Sequence, residues 1–366
     1  MVAADVCPQA QVPLAPLTTL GVGGPAQWYL RAVTLHDVLG AVRWTGERGL
    51  PLTVLGGGSN VVIADEGLEG LVLQIDLRGC DVHVQDGGVR LDAAAGEPWD
   101  AVVARSVEYG LAGLECLSGI PGSVGGTPVQ NVGAYGQEVS RVITRVTAVD
   151  RQAGRVVQLG PEACAFGYRT SRFKTTDRDR FIVTAVQFQL GGGPVETSYP
   201  DVDAWLQNEG RHAPGVADVR EAVLAVRRRK GMVVDAADVD THSAGSFFVN
   251  PIVSASRRDA LALRGAEVGR ALVAHPVEGG FKVPAAWLIQ LAGLRPGFRM
   301  GPAGLSSKHP LAIINVGGAS ARAIIGLAAH VKRKVIESSG VWLQAEPELL
   351  GCEANDEAVF LRQTGE

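Results

Sequence analysis

Gly119-Ile120-Pro121-Gly122-Ser123-Val124-Gly125-Gly126, followed by Gln130-Asn131-Val132-Gly133-Ala134-Tyr135-Gly136, is the stretch on which the fold turns. Glycine accepts positive φ and lets its amide approach a ligand closely. Successive amides in such turns form a concave anion site suited to a pyrophosphate. An upstream loop, Gly56-Gly57-Gly58-Ser59-Asn60, offers the same chemistry a second time. One glycine loop is more often a tight turn and nothing else. Two of them point to an extended, phosphate-bearing cofactor lying between them. By contrast, Gly21-Val22-Gly23-Gly24 follows no clear strand and opens no helix, so it fails as a dinucleotide fingerprint.

Around these loops the patterns are short and mixed. Residues 27–32 read as a strand, 35–47 as a helix ending near Gly49, and 52–55, 61–63 and 71–75 as apolar strands. Residues 82–84 and 89–93 read as strands joined by the turn Asp86-Gly87-Gly88, and 99–109 as a helix that stops at Gly110. Beyond the second glycine stretch come β-rich segments at 142–150, 156–159 and 181–190, broken by Gly191-Gly192-Gly193-Pro194. A helix at 216–229 places Val219, Val223 and Val226 on one face. A third unit follows from Gly231, with strands at 246–249 and 312–316 and helices at 284–292 and 320–338. The pattern is α+β, in three units without an internal repeat.

A chain of 366 residues has room for two or three domains. Its net charge of −4 argues against a general nucleic-acid binder, which would carry a basic face. Arg227-Arg228-Arg229-Lys230 is a local exception, either a solvated helix face or a contact for a phosphate-bearing ligand. Five scattered cysteines (Cys7, Cys80, Cys116, Cys164 and Cys352), with no C-x-x-C pair, fit neither a zinc site nor a disulfide framework. Reduced thiols in a cytoplasmic protein are expected. No secretory leader and no apolar run of membrane-spanning length is evident, so no membrane partner is expected. The histidines His36, His83, His212, His242, His275, His309 and His330 show no H-x-x-x-H spacing, and no Ser/His/acid order stands out. Metal hydrolysis and triad chemistry are therefore not expected, and no metal is assigned.

Four further clusters could carry chemistry. Phe166-Gly167-Tyr168-Arg169-Thr170-Ser171 holds an arginine among aromatic residues. Such an arginine either packs and snorkels or offers a planar fork to a carboxylate. Ala244-Gly245-Ser246-Phe247-Phe248-Val249-Asn250-Pro251 alone reads as a strand after a turn. Ala345-Glu346-Pro347-Glu348 follows the apolar Val341-Trp342-Leu343, where two acids are most often solvated. Thr197-Ser198-Tyr199-Pro200-Asp201 alone reads as a loop. Taken in order with the glycine loops, these segments resemble the UDP-N-acetylenolpyruvoylglucosamine reductase (UDP-N-acetylmuramate dehydrogenase) family over residues 18–351. The Tyr199 segment resembles the longer, type I form of that family.

The resemblance implies a two-subdomain, vanillyl-alcohol-oxidase-like FAD-binding fold plus a third α+β domain for substrate. Residues 1–76, with 352–366 returning to them, and 77–230 would be the cofactor subdomains, and 231–351 the substrate domain. FAD would be bound non-covalently. Its pyrophosphate would be held by Gly56, Gly57, Gly58, Ser59 and Asn60 and by Gly119, Ile120, Pro121, Gly122, Ser123, Gly125 and Gly126, with Asn131, Gly133, Ala134 and Tyr135 nearby. NADPH would reduce the flavin and leave. The enolpyruvyl ether of UDP-N-acetylglucosamine would then enter the same cleft and accept hydride from flavin N5.

Hydride arriving at C3 of that ether pushes charge onto C2 and the carboxylate, and donors aimed there lower the barrier. Arg169 and Glu346 match the family positions for this role, and a glutamate serves best there when protonated. Ser246 matches the proton donor to C2, a role in which positioning matters more than acidity. Tyr199, Lys230 and Asn250 match positions that hold the UDP pyrophosphate and substrate. Laid without gaps on residues 341–351, the family's glutamate falls on Glu346 rather than Glu348. Val249 stands where many relatives carry lysine, and the interval from Lys230 to Ser246 is longer than is usual. A sugar-nucleotide substrate and a monomeric state complete the expectation. The competing readings are an alcohol oxidase of the same flavin fold and a non-catalytic sugar-nucleotide binder. The glycine loops hold no histidine for a covalent flavin link, and Arg169, Ser246 and Glu346 together speak for the reductase.

Overall fold

A computed structural model describes residues 6–85, 88–192, 195, 197 and 199–365. The expected turn residues Asp86 and Gly87, the break at Gly193 and Pro194, and Ser198 lie outside the described residues. The chain divides into two compact units. The first holds residues up to Val12, Ala26–Gly58 and Leu68–Val233; the second holds Pro13–Pro25, Ser59–Gly67 and the chain from Val234 onward.

In the first unit, a four-stranded sheet runs in the order Gln9–Pro13, Pro25–Ala32, Leu68–Ile75, Leu52–Leu55. Leu68–Ile75 pairs parallel with the strands on either side. The helix Leu35–Arg48 returns between two of these strands. Thr34 and Asp37 cap it reciprocally, Gly49 ends it at φ 62°, and it buries Val38 and Ala41. The chain then enters a five-stranded antiparallel sheet, ordered Arg155–Leu159, Ile143–Asp150, Phe181–Leu190, Gly88–Ala94, Cys80–Gln85. Its core includes Trp99 and Phe188, whose ring centroids are 5.9 Å apart. The buried Trp99 indole donates to the Leu117 carbonyl at 3.1 Å, so its polar tip is satisfied.

The second unit is built on a sheet ordered Ser243–Ser246, Ala312–Asn315, Ala303–Leu305, Arg299–Met300. The helix Ala321–Ser339 is capped by Ser320, ends at Gly340 with φ 66°, and buries Ile324, Ile325, Leu327, Ala328, Val331 and Val335 in this unit's core. Among the described residues no helix is long and apolar enough to cross a membrane.

Several expectations are corrected. Residues 1–76 are not one body: Leu20, Val22, Val62 and Ala64 are buried in the second unit's core, and Val61–Ile63 pairs parallel with Glu348–Leu350 there. Residues 352–366 lie in the second unit, in the core that also holds Leu20, Val22, Val62 and Ala64. The helix Asp356–Arg362 buries Ala358 and Leu361 in the second unit, beside Ala321–Ser339. The strand expected at 246–249 instead spans Ser243–Ser246, because Gly245 at φ 73° shifts the register and Phe248 makes an isolated bridge to Ala345. Pro200–Asn208 and Ala255–Glu267 are helices where none was expected.

Candidate active site

The two glycine loops touch inside the first unit. A Cβ on Gly57 would sit 2.7 Å from the Cα of Gly122, and one on Gly56 would sit 2.7 Å from Ser123 Oγ. Only glycine permits this approach, which explains the residue type at Gly57. The second loop is pinned at its ends. Gly119 N donates to Asp100 Oδ1 at 2.6 Å, Val124 N to the Glu97 carbonyl at 2.9 Å and Gly125 N to the Ala95 carbonyl at 2.8 Å. Arg220 holds Asp100 with two hydrogen bonds, of 2.7 and 2.9 Å. Burial would raise the Asp100 carboxyl, but Arg220 and the Gly119 amide outweigh it and keep it below its ordinary value. Neither Asp100 nor Arg220 stood out in the sequence. They lie in different helices, and nothing local marks them as partners.

Among the described residues no protein acceptor is found for the amides of Gly57, Gly58, Gly122 and Ser123. The Nε of Arg227, in van der Waals range of the Cβ position of Gly119, is likewise buried without a hydrogen-bond partner. Four amides on touching loops and one unsatisfied buried guanidinium nitrogen are the donor set a pyrophosphate requires, so these residues fit FAD. Ser59 and Asn60 continue the first loop into the second unit. There the Asn60 carbonyl accepts from Glu348 N at 3.0 Å.

Residues 131–136 are knitted to the Arg169 segment. Asn131, at φ 47°, ends the short helix Gly126–Gln130. Its buried carboxamide donates to the Gly167 carbonyl at 2.8 Å and to Glu138 at 3.2 Å, and accepts from Ser140 N at 3.3 Å. The Asn131 side chain therefore holds the turn together. Arg169 lies at φ 55°, an uncommon conformation for a residue with a Cβ. Its Nη2 donates to the Gly133 carbonyl at 2.5 Å, and its guanidinium lies 5.2 Å from the Tyr168 ring centroid. Backbone and head group are both fixed, so the fork is held ready rather than loose.

Tyr135, Tyr199 and Lys230 also come together in the first unit. The two tyrosine rings meet edge to face at 4.9 Å, and Lys230 Nζ lies 5.6 Å from the Tyr199 ring while pairing with Asp201 at 2.5 Å. The basic cluster splits in two: Arg228 and Arg229 are exposed, whereas Arg227 is buried and donates to the Met232 carbonyl at 2.6 Å. Burial pushes the Arg227 guanidinium down and the Tyr135 hydroxyl up, each opposed first by their mutual electrostatic attraction.

Ser246 and Glu346 lie in the second unit, on segments that meet just after Ser246. Ser246 ends its strand opposite Ala312, just after the Gly245 bulge. The next residues pair with the C-terminal segment: Val249 N donates to the Gln344 carbonyl at 3.0 Å and Glu346 N to the Phe247 carbonyl at 2.9 Å. Phe247 and Phe248 are fully buried and anchor this ladder. Glu348, two residues on, pairs instead with Val61. Asn250 accepts from Ala285 N at 2.9 Å through Oδ1, capping the helix Ala285–Leu291. Arg169 belongs to the first unit and Ser246 and Glu346 to the second.

Comparison with known proteins agrees over nearly the whole chain. The family profile described as "FAD binding domain" matches residues 26–160, and "UDP-N-acetylenolpyruvoylglucosamine reductase, C-terminal domain" matches 237–350. The chain is 46% identical over 348 residues to the UDP-N-acetylenolpyruvoylglucosamine reductase of Thermobifida fusca (strain YX), covering 93% of this chain and 97% of that one. It is 47% identical to that of Streptomyces coelicolor, covering 93% and 89%. The crystal structure of UDP-N-acetylenolpyruvylglucosamine reductase from Thermus caldophilus superposes with a TM-score of 0.63 at 26% identity, covering 94% of this chain and 99% of that one. This chain belongs to the UDP-N-acetylenolpyruvoylglucosamine reductase family.

Proposed function

We propose that the chain carries out its family's reaction, with Arg169, Ser246 and Glu346 as its catalytic side chains. That reaction is the NADPH-dependent reduction of UDP-N-acetylglucosamine enolpyruvate to UDP-N-acetylmuramate through bound FAD, a step of peptidoglycan precursor synthesis. FAD, when bound, relays the hydride of NADPH to C3 of the enolpyruvyl group. The amides of Gly57, Gly58, Gly122 and Ser123 receive its pyrophosphate. Arg169 and Glu346 donate to the substrate carboxylate as charge develops there, and Ser246 delivers a proton to C2. Tyr199, Lys230 and Asn250 contact the sugar nucleotide. Residues 237–350 thus carry Ser246, Glu346 and Asn250, while the first unit carries the glycine loops together with Arg169, Tyr199 and Lys230. A cytoplasmic monomer without nucleic-acid or membrane partners fits the net charge of −4.

The observation that supports the reading is the 2.9 Å bond from Glu346 N to the Phe247 carbonyl, which pairs Glu346 with the residue that follows Ser246. The same bond supports Glu346 over Glu348. The test is anaerobic rapid mixing of the flavin-loaded protein, first with NADPH and then with the enolpyruvyl sugar nucleotide. The wild type should bleach and then recolour. Ser246→Ala should bleach almost normally and recolour slower by about a hundred-fold or more, since general acid catalysis contributes on that scale. Equal loss of both half-reactions would overturn the proton-donor role, and a protein unable to take up FAD would overturn the reading at its root.

A further inference from the structure

The interval between Lys230 and Ser246 folds as a built clasp. Thr241 Oγ1 donates to the carbonyls of Asp235 and Asp238, both at 2.8 Å, and accepts from Asp235 N at 3.1 Å. Asp240 N is tied to Asp238 Oδ1 at 3.1 Å, while Asp238 Oδ2 pairs with Lys308 Nζ at 2.5 Å. At the centre, the buried Asp240 carboxylate takes Ser307 N at 2.8 Å on one oxygen and Ser307 Oγ at 2.6 Å on the other. Burial would raise this carboxyl, but the serine donors and Lys308 hold it below its ordinary value, so it stays an acceptor at neutral pH.

What Asp240 grips leads to the catalytic strand. Ser306 is fully buried; its Oγ accepts from Lys308 N and His309 N at 3.1 and 3.2 Å, and its amide donates to the Ala312 carbonyl at 2.9 Å. Ala312 is the register partner of Ser246, and the Leu311 carbonyl accepts from Phe247 N at 2.8 Å. From the lead-in to one edge of the sheet, Asp240 thus reaches past the middle strand Ala312–Asn315 to the loop that follows Ala303–Leu305. The clasp closes around the strand that sets the height of Ser246. The Gly245 bulge leaves Ser246 at a register shift, so this strand does not fix that residue by regular pairing alone.

We propose that Asp240 is a positioning residue for proton delivery, holding Ser246 in place through Ser307 and the turn from Ser306 to Ala312. This inference rests on the reading of Ser246 as proton donor. In the flavin-loaded enzyme, Asp240→Ala should slow recolouring by the enolpyruvyl substrate at least tenfold. Bleaching by NADPH and substrate affinity for the oxidised enzyme should stay within about threefold, because a misplaced donor costs rate rather than binding. Asp240→Asn, which can still accept from Ser307 N, should restore most of the rate. Ser307→Ala, which keeps the amide bond, should show a smaller loss with the same selectivity and serves if Asp240→Ala fails to fold. In the Ser246→Ala background, Asp240→Ala should add nothing further to the recolouring rate. Additive losses, or parallel losses in both half-reactions, would make Asp240 merely structural and overturn the inference. Normal recolouring in Ser246→Ala would instead remove the proton-donor reading itself.

Discussion

On the proposed reading, the glycine loops of the first unit and the Ser246–Glu346 ladder of the second do comparable work with opposite materials. In the loops the proposed functional group is the backbone: among the described residues the amides of Gly57, Gly58, Gly122 and Ser123 meet no protein acceptor, and at Gly57 the side chain is what must be missing. In the ladder the proposed functional groups are the side chains. Backbone hydrogen bonds between residues 247–249 and 344–346 only carry them to one place. A backbone site writes itself into residue type, because any Cβ at Gly57 collides with Gly122. A side-chain site uses ordinary serine and glutamate, and its identity lies in strand pairing between distant segments.

Arg169 tests the side-chain half most severely. Its left-handed backbone and its bond to the Gly133 carbonyl hold a planar fork, which an ammonium cannot reproduce. Arg169→Lys should lower the rate of recolouring by about a hundred-fold, the loss expected when a charged hydrogen bond worth roughly 2–3 kcal/mol is removed from the transition state. Near-normal turnover would deny Arg169 the carboxylate-polarising role. The backbone half is tested next by Gly57→Ala. Overpacking against Gly122 Cα costs about 1–3 kcal/mol, so FAD affinity should fall roughly tenfold or more and the apo-protein should melt earlier. Gly126→Ala is the contrast. Beyond its own helix and chain neighbours nothing lies within 4 Å of its Cβ position, so melting should not fall. Any loss of FAD affinity in that variant then reports the cofactor's own approach to Gly126. If Gly57→Ala keeps both wild-type melting and affinity, the close contact of the loops is not what selects glycine.

The same contrast explains what was legible in the sequence. The helices Leu35–Arg48 and Val216–Arg229 announce themselves by apolar spacing and, for the first, by Gly49. The strands Leu52–Leu55 and Phe181–Leu190 were equally plain. Ala255–Glu267 was hidden because it buries only Leu261 and Gly265, leaving Leu263 exposed and no apolar stripe to read; its one signal was Ser254, which caps it. Pro200–Asn208 begins with a proline at its first position, a helix-start signal, within a segment whose Thr197-Ser198-Tyr199 lead-in reads as a loop. At the site, the glycines and the order of motifs were visible, whereas the pinning of Gly119 by Asp100 and Arg220 was not. Long-range pairs leave no local trace.

The smallest effect concerns how the second unit holds its C-terminal helix, again with one side chain. Lys332 is fully buried, and its ammonium donates to the carbonyls of Phe360, Leu361 and Gln363 at 2.9, 3.1 and 2.6 Å, closing the C-terminal end of Asp356–Arg362. Burial pushes its pKa from 10.5 down to about 8. Between those values the unfolded chain binds the proton and the folded chain does not, so this contribution to stability rises with pH from about 8 upward. Below about 8 the cost of burying the charge is present in full. Cys116, Cys164 and Cys352 work the other way. Burial raises these thiols to about 12, 11 and 11 from 9.0, so their contribution is lost as pH climbs above 9.0. Comparing the wild type with Lys332→Met between pH 7 and 9 cancels the thiols and isolates the lysine. The variant should be less stable throughout, because three carbonyls lose their donor. Its deficit should widen by about 1 kcal/mol or less across that window as the wild type sheds the buried charge. A deficit that stays flat from pH 7 to 9 would mean the three carbonyls hold Lys332 charged well above pH 8, and that they, rather than burial, govern its titration.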